Sequence, residues 1–196
     1  MIPLADRGKI LAAFNGGFKL PDSNGGWFDN GTAIVPLQTG AASLVVRDDG
    51  TVQVGTWGSD LTMGAHVIAV RQNRTLLVDN ARATPLVSAP DFELVWGKTI
   101  HRLPAVWRSG IGITANGTLV YVAGSNMLVS DLAQALISAG SERAMELDIN
   151  TQFVNAFTYT PGPSGPVGRK LLPTLRYGPD HYLQPQDRDF IEVLST

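Results

Sequence analysis

The sequence predicts an α+β domain in which mostly antiparallel mixed sheets pack against one or two helices. Short apolar runs of strand type recur along the chain, Asp-Gly and Asn-Gly turn signals separate them, and one stretch alone has convincing helical periodicity. Glycine accounts for 21 of the 196 residues, above the usual share of about 7%. Residues 1–196 are expected to form a single domain, because this length suits one hydrophobic core.

The strands are predicted mainly as hairpins. "SLVVRDDGTVQVGTW" places two β-rich runs around Asp49-Gly50, and "GIGITANGTLVYVAG" repeats that design around Asn116-Gly117. "VIAVRQNRTLLVD" predicts a third pair that turns at residues 72–74. "KILAAF" is predicted as a core strand near the start, and "RDFIEVLS" as a closing strand. This abrupt entry into a core strand is typical of a segment trimmed from a longer protein.

The predicted helix is "SDLAQALISAG". Ser130 is suited to the N-cap, and Asp131 suits the positive end of the helix dipole. Apolar residues spaced four apart form one stripe, and Gly140 is expected to end the helix. Two stretches without clear periodicity, "KLPDSNGGWFDNG" and "TPGPSGPVGRKLLPTLRYGPDHYLQPQD", are predicted as long loops, which are often functional.

Composition excludes several classes of protein. The net charge is -2 and no basic block is present, which argues against nucleic acid as a main partner. There are no cysteines, so disulfides and thiolate metal sites are excluded. His66, His101 and His181 match no metal-binding spacing, which argues against a zinc site. The sequence assigns no metal ligand and no cofactor, and it leaves a metal requirement open. No apolar run approaches the length of about 20 residues that a membrane span needs, and no signal peptide is visible.

The segment "AMELDIN" carries the first candidate site. If it is a strand, Glu146, Asp148 and Asn150 share one face, while the apolar residues between them take the other. Neighbouring carboxylates on one face lie roughly 6.6 Å apart along the strand. Such a pair could share acid, base or nucleophile work at a sugar carbon. The alternative is a half-exposed strand whose polar face is merely solvated.

The segment "VWRSGIGI" carries the second. Alternation places Arg108 on one face with Gly110 and Gly112, which leaves room for an anion beside the guanidinium. A guanidinium suits bidentate binding of phosphate. The alternative is an arginine paired with a structural carboxylate.

The segment "AAFNGGF" carries the third. Asn15 ends an apolar run, and Gly16 and Gly17 let the backbone turn sharply or approach a ligand closely. The alternative is a plain Asn-Gly turn.

In this order, "FNGGF", "RSGIG" and "AGSERAMELD" resemble the motifs of the phosphodiester glycosidase family. The resemblance spans nearly the whole chain and looks closest to bacterial, actinobacterial-type members. It departs from the family after Asp148, where a Gly-rich, Ser-containing turn is replaced by Ile149-Asn150-Thr151, and at Lys19, where a second aromatic is common. Family habit implies an extracellular or cell-envelope location for the full-length protein.

The resemblance implies hydrolysis of a sugar-1-phosphodiester at sugar C1, which releases free sugar and a phosphomonoester. Asp148 would act as base for water or as nucleophile, and Arg108 would hold the diester. Glu146 would be the second carboxylate, with a pKa raised by repulsion from Asp148 if both are buried. Substrate-binding roles are implied for Asn15, Gly16, Gly17, Ser109, Asn150 and Trp27; for the tryptophan, core packing is the alternative.

Two kinds of function therefore stay open. One is the hydrolase, with a small-molecule or glycan phosphodiester as substrate. The other is a non-catalytic module that binds phosphorylated or acidic cell-envelope glycans. The sequence leaves the oligomeric state undetermined.

Overall fold

The computed structural model describes residues 1–195, which divide into two compact units. The first unit combines residues 1–16 with residues 150–195, and the second is the continuous stretch Gly17–Ile149. Every pairing between the strands is antiparallel, so the predicted α+β class with mostly antiparallel sheets is confirmed.

The described residues form strands, three α-helices and three 3₁₀ helices. The strands are β1 (Ile10–Asn15), β2 (Trp27–Asp29), β3 (Thr32–Val35), β4 (Ala42–Arg47), β5 (Val52–Thr56), β6 (Val67–Gln72), β7 (Leu76–Asp79), β8 (Arg82–Ala83), β9 (Val106–Thr114), β10 (Leu119–Met127), β11 (Ser141–Glu146), β12 (Ala156–Thr160), β13 (Val167–Lys170) and β14 (Phe190–Leu194). The α-helices are α1 (Leu20–Ser23), α2 (Phe92–Trp96) and α3 (Val129–Ser138). The 3₁₀ helices are Pro85–Ser88, Ile100–Arg102 and His181–Leu183.

The first unit is built on one sheet with the strand order β13-β12-β1-β14. The early strand β1 lies between β12 and the closing strand β14, with Ala13 opposite both Phe157 and Glu192. Both predicted strands, "KILAAF" and "RDFIEVLS", are therefore confirmed. Apolar and aromatic side chains from both parts of the chain form its core: Ile2, Ile10, Ala13, Phe157, Tyr159 and Tyr182.

The second unit contains two five-stranded sheets, with the orders β3-β2-β6-β4-β5 and β10-β9-β11-β7-β8. Strand β5 contacts β7, β9 and β11 of the other sheet, and α3 packs on the sheet that contains β9 and β11. Leu132, Ala133 and Leu136 of α3 are fully buried in this core. The predicted apolar stripe therefore fixes the helix against the strands that carry "RSGIG" and "AMELD".

Two of the three predicted hairpins are confirmed, β4 with β5 and β9 with β10. The third is wrong, because β6 pairs with β2 and β4 whereas β7 pairs with β11 and β8. Between them Asn73 N donates to Ala42 O at 3.0 Å and Arg74 N donates to Ser23 O at 2.6 Å. The turn-like residues therefore carry the chain from one sheet to the other.

The predicted helix is present, but its N-cap differs from the prediction. It begins at Val129 with Leu128 at the N-cap, so Ser130 lies inside the first turn. Asp131 compensates, since its Oδ2 accepts a hydrogen bond from Leu128 N at 2.9 Å. Gly140, with φ of 90°, follows the helix as predicted.

The two stretches predicted as long loops contain regular structure. The first includes α1 and β2, and the second includes β13 and the 3₁₀ helix His181–Leu183. Strand β2 forms because tertiary pairing with β6 places Trp27 opposite Arg71, which local sequence does not reveal. No helix within residues 1–195 has the length and apolar character to cross a membrane.

Candidate active site

The end of β11 and its continuation lie against β9 in the second unit. Strand β11 ends at Glu146, yet backbone pairing continues, since Leu147 N donates to Ser109 O at 2.8 Å and Ser109 N donates to Asp148 O at 3.1 Å. The Ser109 hydroxyl also donates to Asp148 O, at 2.7 Å. Ser109 therefore holds the backbone of the predicted catalytic aspartate, and its predicted contact with substrate stays a prediction.

Arg108 and Glu146 form a salt bridge in which both side chains are fully buried, with 2.6 Å between Nη1 and Oε1. Arg108 Nε donates to Met127 O at 3.0 Å, and Nη2 donates to Pro104 O at 3.1 Å. Three sides of the guanidinium are thus occupied by protein acceptors. The arginine is held as a fixed positive charge beside the carboxylate.

The expected space for an anion beside Gly110 and Gly112 is not present. A Cβ at Gly110 would lie 3.0 Å from Leu136 Cδ1, and one at Gly112 would lie 2.3 Å from Ser141 Oγ. Helix α3 and the start of β11 fill these positions. The two glycines therefore serve close packing, which corrects the prediction that they make room for a ligand.

Glu146 has one carboxylate oxygen paired and one unpaired. Oε1 accepts from Arg108, whereas Oε2 is buried without a hydrogen-bond partner. Burial raises the pKa of Glu146 to about 7, while the charge and hydrogen bond of Arg108 lower it. The expected raised pKa is present, but its main cause is burial, and repulsion from Asp148 is the smallest contribution.

Asp148 lies close to Glu146 and is 3% exposed. Its charge also reaches the half-buried Tyr121, whose hydroxyl is hydrogen-bonded to Ser109. Burial is the main cause that raises the pKa of Tyr121, and the charge of Asp148 adds to it. A neutral phenol therefore stands near the aspartate, and the solvated-face alternative for this strand does not hold, because both carboxylates are buried.

Asn73, predicted from the sequence as a turn residue, belongs to this cluster. Its fully buried side chain donates from Nδ2 to Glu146 O at 2.8 Å and accepts at Oδ1 from Phe18 N at 3.0 Å. A Cβ at Gly17 would lie 2.9 Å from Asn73 Cγ, so the glycine permits this approach. The signal was the polar run "RQN" between two apolar strands.

The other members of that run are buried and bonded too. Arg71 Nη2 donates to Phe18 O at 2.6 Å, which fixes the residue that follows "NGG". Gln72 Oε1 accepts from Gly26 N at 2.8 Å and from Gln38 N at 2.7 Å. The end of β6 therefore holds Phe18, Gly26 and Gln38 through side-chain hydrogen bonds.

Trp27 lies half-buried on β2, opposite Arg71. Its neighbour Phe28 packs against the core cluster that contains Val45 and Val70. Alternation along β2 directs Trp27 to the other side of the strand. Its predicted stacking on a sugar ring stays a prediction.

Three predicted site residues belong to the first unit. Asn15 is buried, accepts at Oδ1 from Asn155 N at 3.2 Å and donates from Nδ2 to Gly16 O at 2.8 Å. A Cβ at Gly16 would lie 2.0 Å from Asp189 Oδ2, so the glycine permits the close approach of this side chain.

Asn150 is the third predicted site residue of the first unit. Its Oδ1 accepts from Gln152 N at 2.9 Å, and it begins a turn. The plain-turn alternative for "FNGG" is therefore too simple, since Asn15 ends β1 inside a buried hydrogen-bond network. Within residues 1–195 no group of three or more His, Asp or Glu side chains is placed to hold a metal ion.

The fold of this chain is similar to that of a solved structure. The catalytic domain of zebrafish N-acetylglucosamine-1-phosphodiester alpha-N-acetylglucosaminidase, auto-inhibited by its pro-peptide, matches with a TM-score of 0.57 at 15% identity, over 79% of this chain and 59% of that chain. A hypothetical protein from Synechocystis matches with a TM-score of 0.40 at 12% identity, over 75% and 47% of the two chains. This chain thus spans less than two thirds of either structure.

At the level of fold, then, the molecule is similar to a glycosidase catalytic domain. The sequence model of the phosphodiester glycosidase family matches residues 8–165. The chain belongs to the phosphodiester glycosidase family. No match is found among curated proteins.

Proposed function

We propose that this protein hydrolyses sugar-1-phosphodiesters at the sugar C1–O bond, releasing free sugar and a phosphomonoester. The observation that carries the proposal is the buried cluster of Glu146, Asp148 and Arg108. Two neighbouring carboxylates are the usual basis for dividing acid and base roles at a sugar carbon. Family membership supports the same chemistry.

Glu146 acts as the general acid in this proposal. Its pKa of about 7 leaves a large protonated fraction at neutral pH. Its unpaired Oε2 is the atom that carries the proton to the leaving phosphate oxygen, as the C1–O bond breaks and its electron pair goes to that oxygen. Arg108 fixes Oε1 at 2.6 Å and offsets negative charge during the step.

Asp148 acts at the anomeric carbon, either as base for the attacking water or as nucleophile. As base it takes one proton from water while Glu146 gives one to the phosphate, so that protons balance over the turnover. The hydrogen bonds from Ser109 to the carbonyl oxygen of Asp148 hold the Asp148 backbone, which fixes the position from which its side chain extends.

Export to the cell envelope remains part of the proposal on family grounds alone.

The test is a screen of nucleotide-sugars and other sugar-1-phosphodiesters for released sugar. Wild-type protein should release sugar from at least one of them, and Asp148→Asn should lose turnover while it still binds that substrate. Turnover by Asp148→Asn at the wild-type kcat/KM would contradict the assignment of Asp148.

A second candidate, a glycan-binding module without activity, is favoured by one observation. In place of the Gly-rich turn typical of the family, Asn150 begins a turn closed by its own bond to Gln152 N. A module of this kind would bind phosphorylated glycans, release no sugar, and show no effect of Asp148→Asn beyond affinity.

A further inference from the structure

Arg74 is a second arginine beside the carboxylate cluster, and its guanidinium is largely uncommitted to protein acceptors. Nη1 donates to Leu94 O at 3.3 Å, and the guanidinium lies 5.2 Å from the centroid of the Phe18 ring. Nε is buried and has no hydrogen-bond partner. Buried N–H groups are almost always paired, so an unpaired one in a polar cluster indicates a missing partner.

The position of Arg74 is set by the same contacts that place Glu146. The preceding residue, Asn73, donates to Glu146 O at 2.8 Å and to Leu147 O at 3.4 Å. The backbone of Arg74 has φ of 55°, a conformation that side chains other than glycine rarely adopt. A strained residue held by a buried asparagine at a cluster of charges is typical of a functional site.

Two unpaired buried atoms of complementary kind thus belong to one cluster, Arg74 Nε and Glu146 Oε2. Their side chains are close enough for each charge to influence the other group. A phosphodiester satisfies both, because one phosphoryl oxygen accepts from a guanidinium while the bridging oxygen accepts a proton from a carboxylic acid.

The charges favour an anion at this place. Arg74 and Arg108 are both cationic, and a protonated Glu146 is neutral, so Asp148 and Asp22 are the anions whose charge bears on the cluster. Arg108 already donates from Nε, Nη1 and Nη2 to the protein. Arg74, by contrast, has an unpaired donor in its Nε–H.

We propose that Arg74, rather than Arg108, makes the direct contact with the substrate's phosphoryl group, with its Nε donating to a non-bridging oxygen. This inference rests on the proposed hydrolase function. Arg108 then positions Glu146, and Arg74 selects substrates whose leaving group is a phosphate.

The experiment compares wild-type protein with Arg74→Gln, Arg74→Lys and the control Arg82→Gln, whose side chain is exposed on β8. Binding of dimethyl phosphate, the smallest phosphodiester, is followed by ³¹P NMR titration. In parallel, kcat/KM is measured for a sugar-1-phosphodiester and for an aryl glycoside of the same sugar. Circular dichroism checks that every variant is folded.

Arg74→Gln should weaken dimethyl phosphate binding by about tenfold or more, as expected for loss of a charge-assisted hydrogen bond. It should lower kcat/KM for the phosphodiester by at least about tenfold more than for the aryl glycoside. Arg74→Lys should recover part of the binding, since it keeps the charge, and Arg82→Gln should match wild type.

Equal binding of dimethyl phosphate by wild type and Arg74→Gln would overturn the proposal, as would an equal loss on both substrates or no binding by wild type. If Arg74→Gln fails to fold, Arg74→Lys decides the proposal. A lysine variant that binds dimethyl phosphate as tightly as wild type and keeps the wild-type preference for the phosphodiester overturns it, because lysine lacks the Nε–H of a guanidinium. If wild type cleaves no sugar-1-phosphodiester, the proposed function fails, and the titration alone decides whether Arg74 binds phosphate.

Discussion

At Glu146, burial and ion pairing act on one carboxyl in opposite directions. Burial raises its pKa and Arg108 lowers it, with a result of about 7. An ordinary glutamate would be ionised at neutral pH and could not act as an acid. The buried arginine keeps the carboxyl oriented through Oε1 and leaves Oε2 unpaired. The arrangement thus suits proton donation at near-neutral pH.

The proposed acid role predicts a pH-dependent rate. In wild type, kcat/KM on a cleaved sugar-1-phosphodiester should fall about tenfold per pH unit above pH 7, as Glu146 loses its proton. Glu146→Gln should lower kcat/KM by about a hundredfold and remove this limb. The control is Glu142→Gln, an exposed residue of the same strand, whose profile should match wild type. An unchanged limb in Glu146→Gln would assign the titration to another group.

The raised pKa also predicts how stability depends on pH. A folded-state pKa above the ordinary 4.5 means that the folded protein binds the proton more tightly than the unfolded chain. Stability from this group is full below about pH 4.5 and declines as pH rises through about 7. The decline is on the order of 3 kcal/mol.

Thermal unfolding at pH 5 and pH 8 measures this linkage. Wild type should lose more Tm between the two pH values than Glu146→Gln does, since the amide does not titrate. Parallel shifts in both proteins would mean that Glu146 titrates alike in the folded and unfolded states.

At the scale of elements, helix α3 and strands β9 and β11 depend on positions without side chains. Gly112→Ala should lower the free energy of unfolding by about 1–3 kcal/mol, because its Cβ would lie 2.3 Å from Ser141 Oγ and 2.7 Å from Ser141 Cβ. Gly64→Ala is the matched control, since only Arg47 Nη1, at 3.9 Å, lies near its Cβ. Urea denaturation compares the two, and equal midpoints would show that β11 can shift to accept a methyl group.

The connection between β6 and β7 predicts a coupled loss of stability and activity. Asn73→Ala removes the partner of Phe18 N and of Glu146 O, two buried backbone groups, at a cost of about 1–3 kcal/mol for each unsatisfied group. Urea denaturation should show this loss, and kcat/KM should fall at a temperature where the variant is folded. Asn116→Ala, whose bonds are exposed and local, should cost less on both counts.

The sequence predicted where helices and strands lie better than it predicted which strands pair with each other. Hairpins closed by Asp49-Gly50 and Asn116-Gly117 are local events, and both formed as predicted. The residues around Asn73 look like a third turn but are bonded to Ser23 and Ala42, distant in sequence. Tertiary contacts of that kind leave no local pattern.

The same limit applies to the candidate site. Alternation predicted that Glu146 and Asp148 carry the polar face, because strand period alone decides it. It could not show that Arg108 is bonded on three sides, or that helix α3 fills the space at Gly110. Those facts depend on packing between elements, as does the unpaired Nε of Arg74.

At the scale of the whole molecule, the sheet of the first unit draws on residues beyond the family match. That match covers residues 8–165, which contain β1 and β12, while β13 and β14 lie after it. One neighbour of β1 is β14, where Ala13 lies opposite Glu192. Two of the four strands in this sheet are supplied from outside the matched region.

Removal of residues 186–196 should therefore destabilise the first unit. Without β14, strand β1 becomes an edge with unpaired backbone groups. Hydrogen exchange should be faster at amides of residues 10–15 than in the full chain, while amides of α3 should keep more of their protection. Equal protection of β1 in both chains would contradict this dependence.

The pairing of β1 with β14 also bears on the order of events at the ribosome. Residues 10–15 leave the exit tunnel before either of their partner strands, since β12 is complete only after residue 160 and β14 only after residue 194 has been synthesised. The continuous stretch Gly17–Ile149 has all of its own strands long before that point. Because domains fold as units during synthesis, β1 has no partner until β12 begins at Ala156, 146 residues after Ile10. Its second side stays unpaired until β14 begins at Phe190, 180 residues after Ile10.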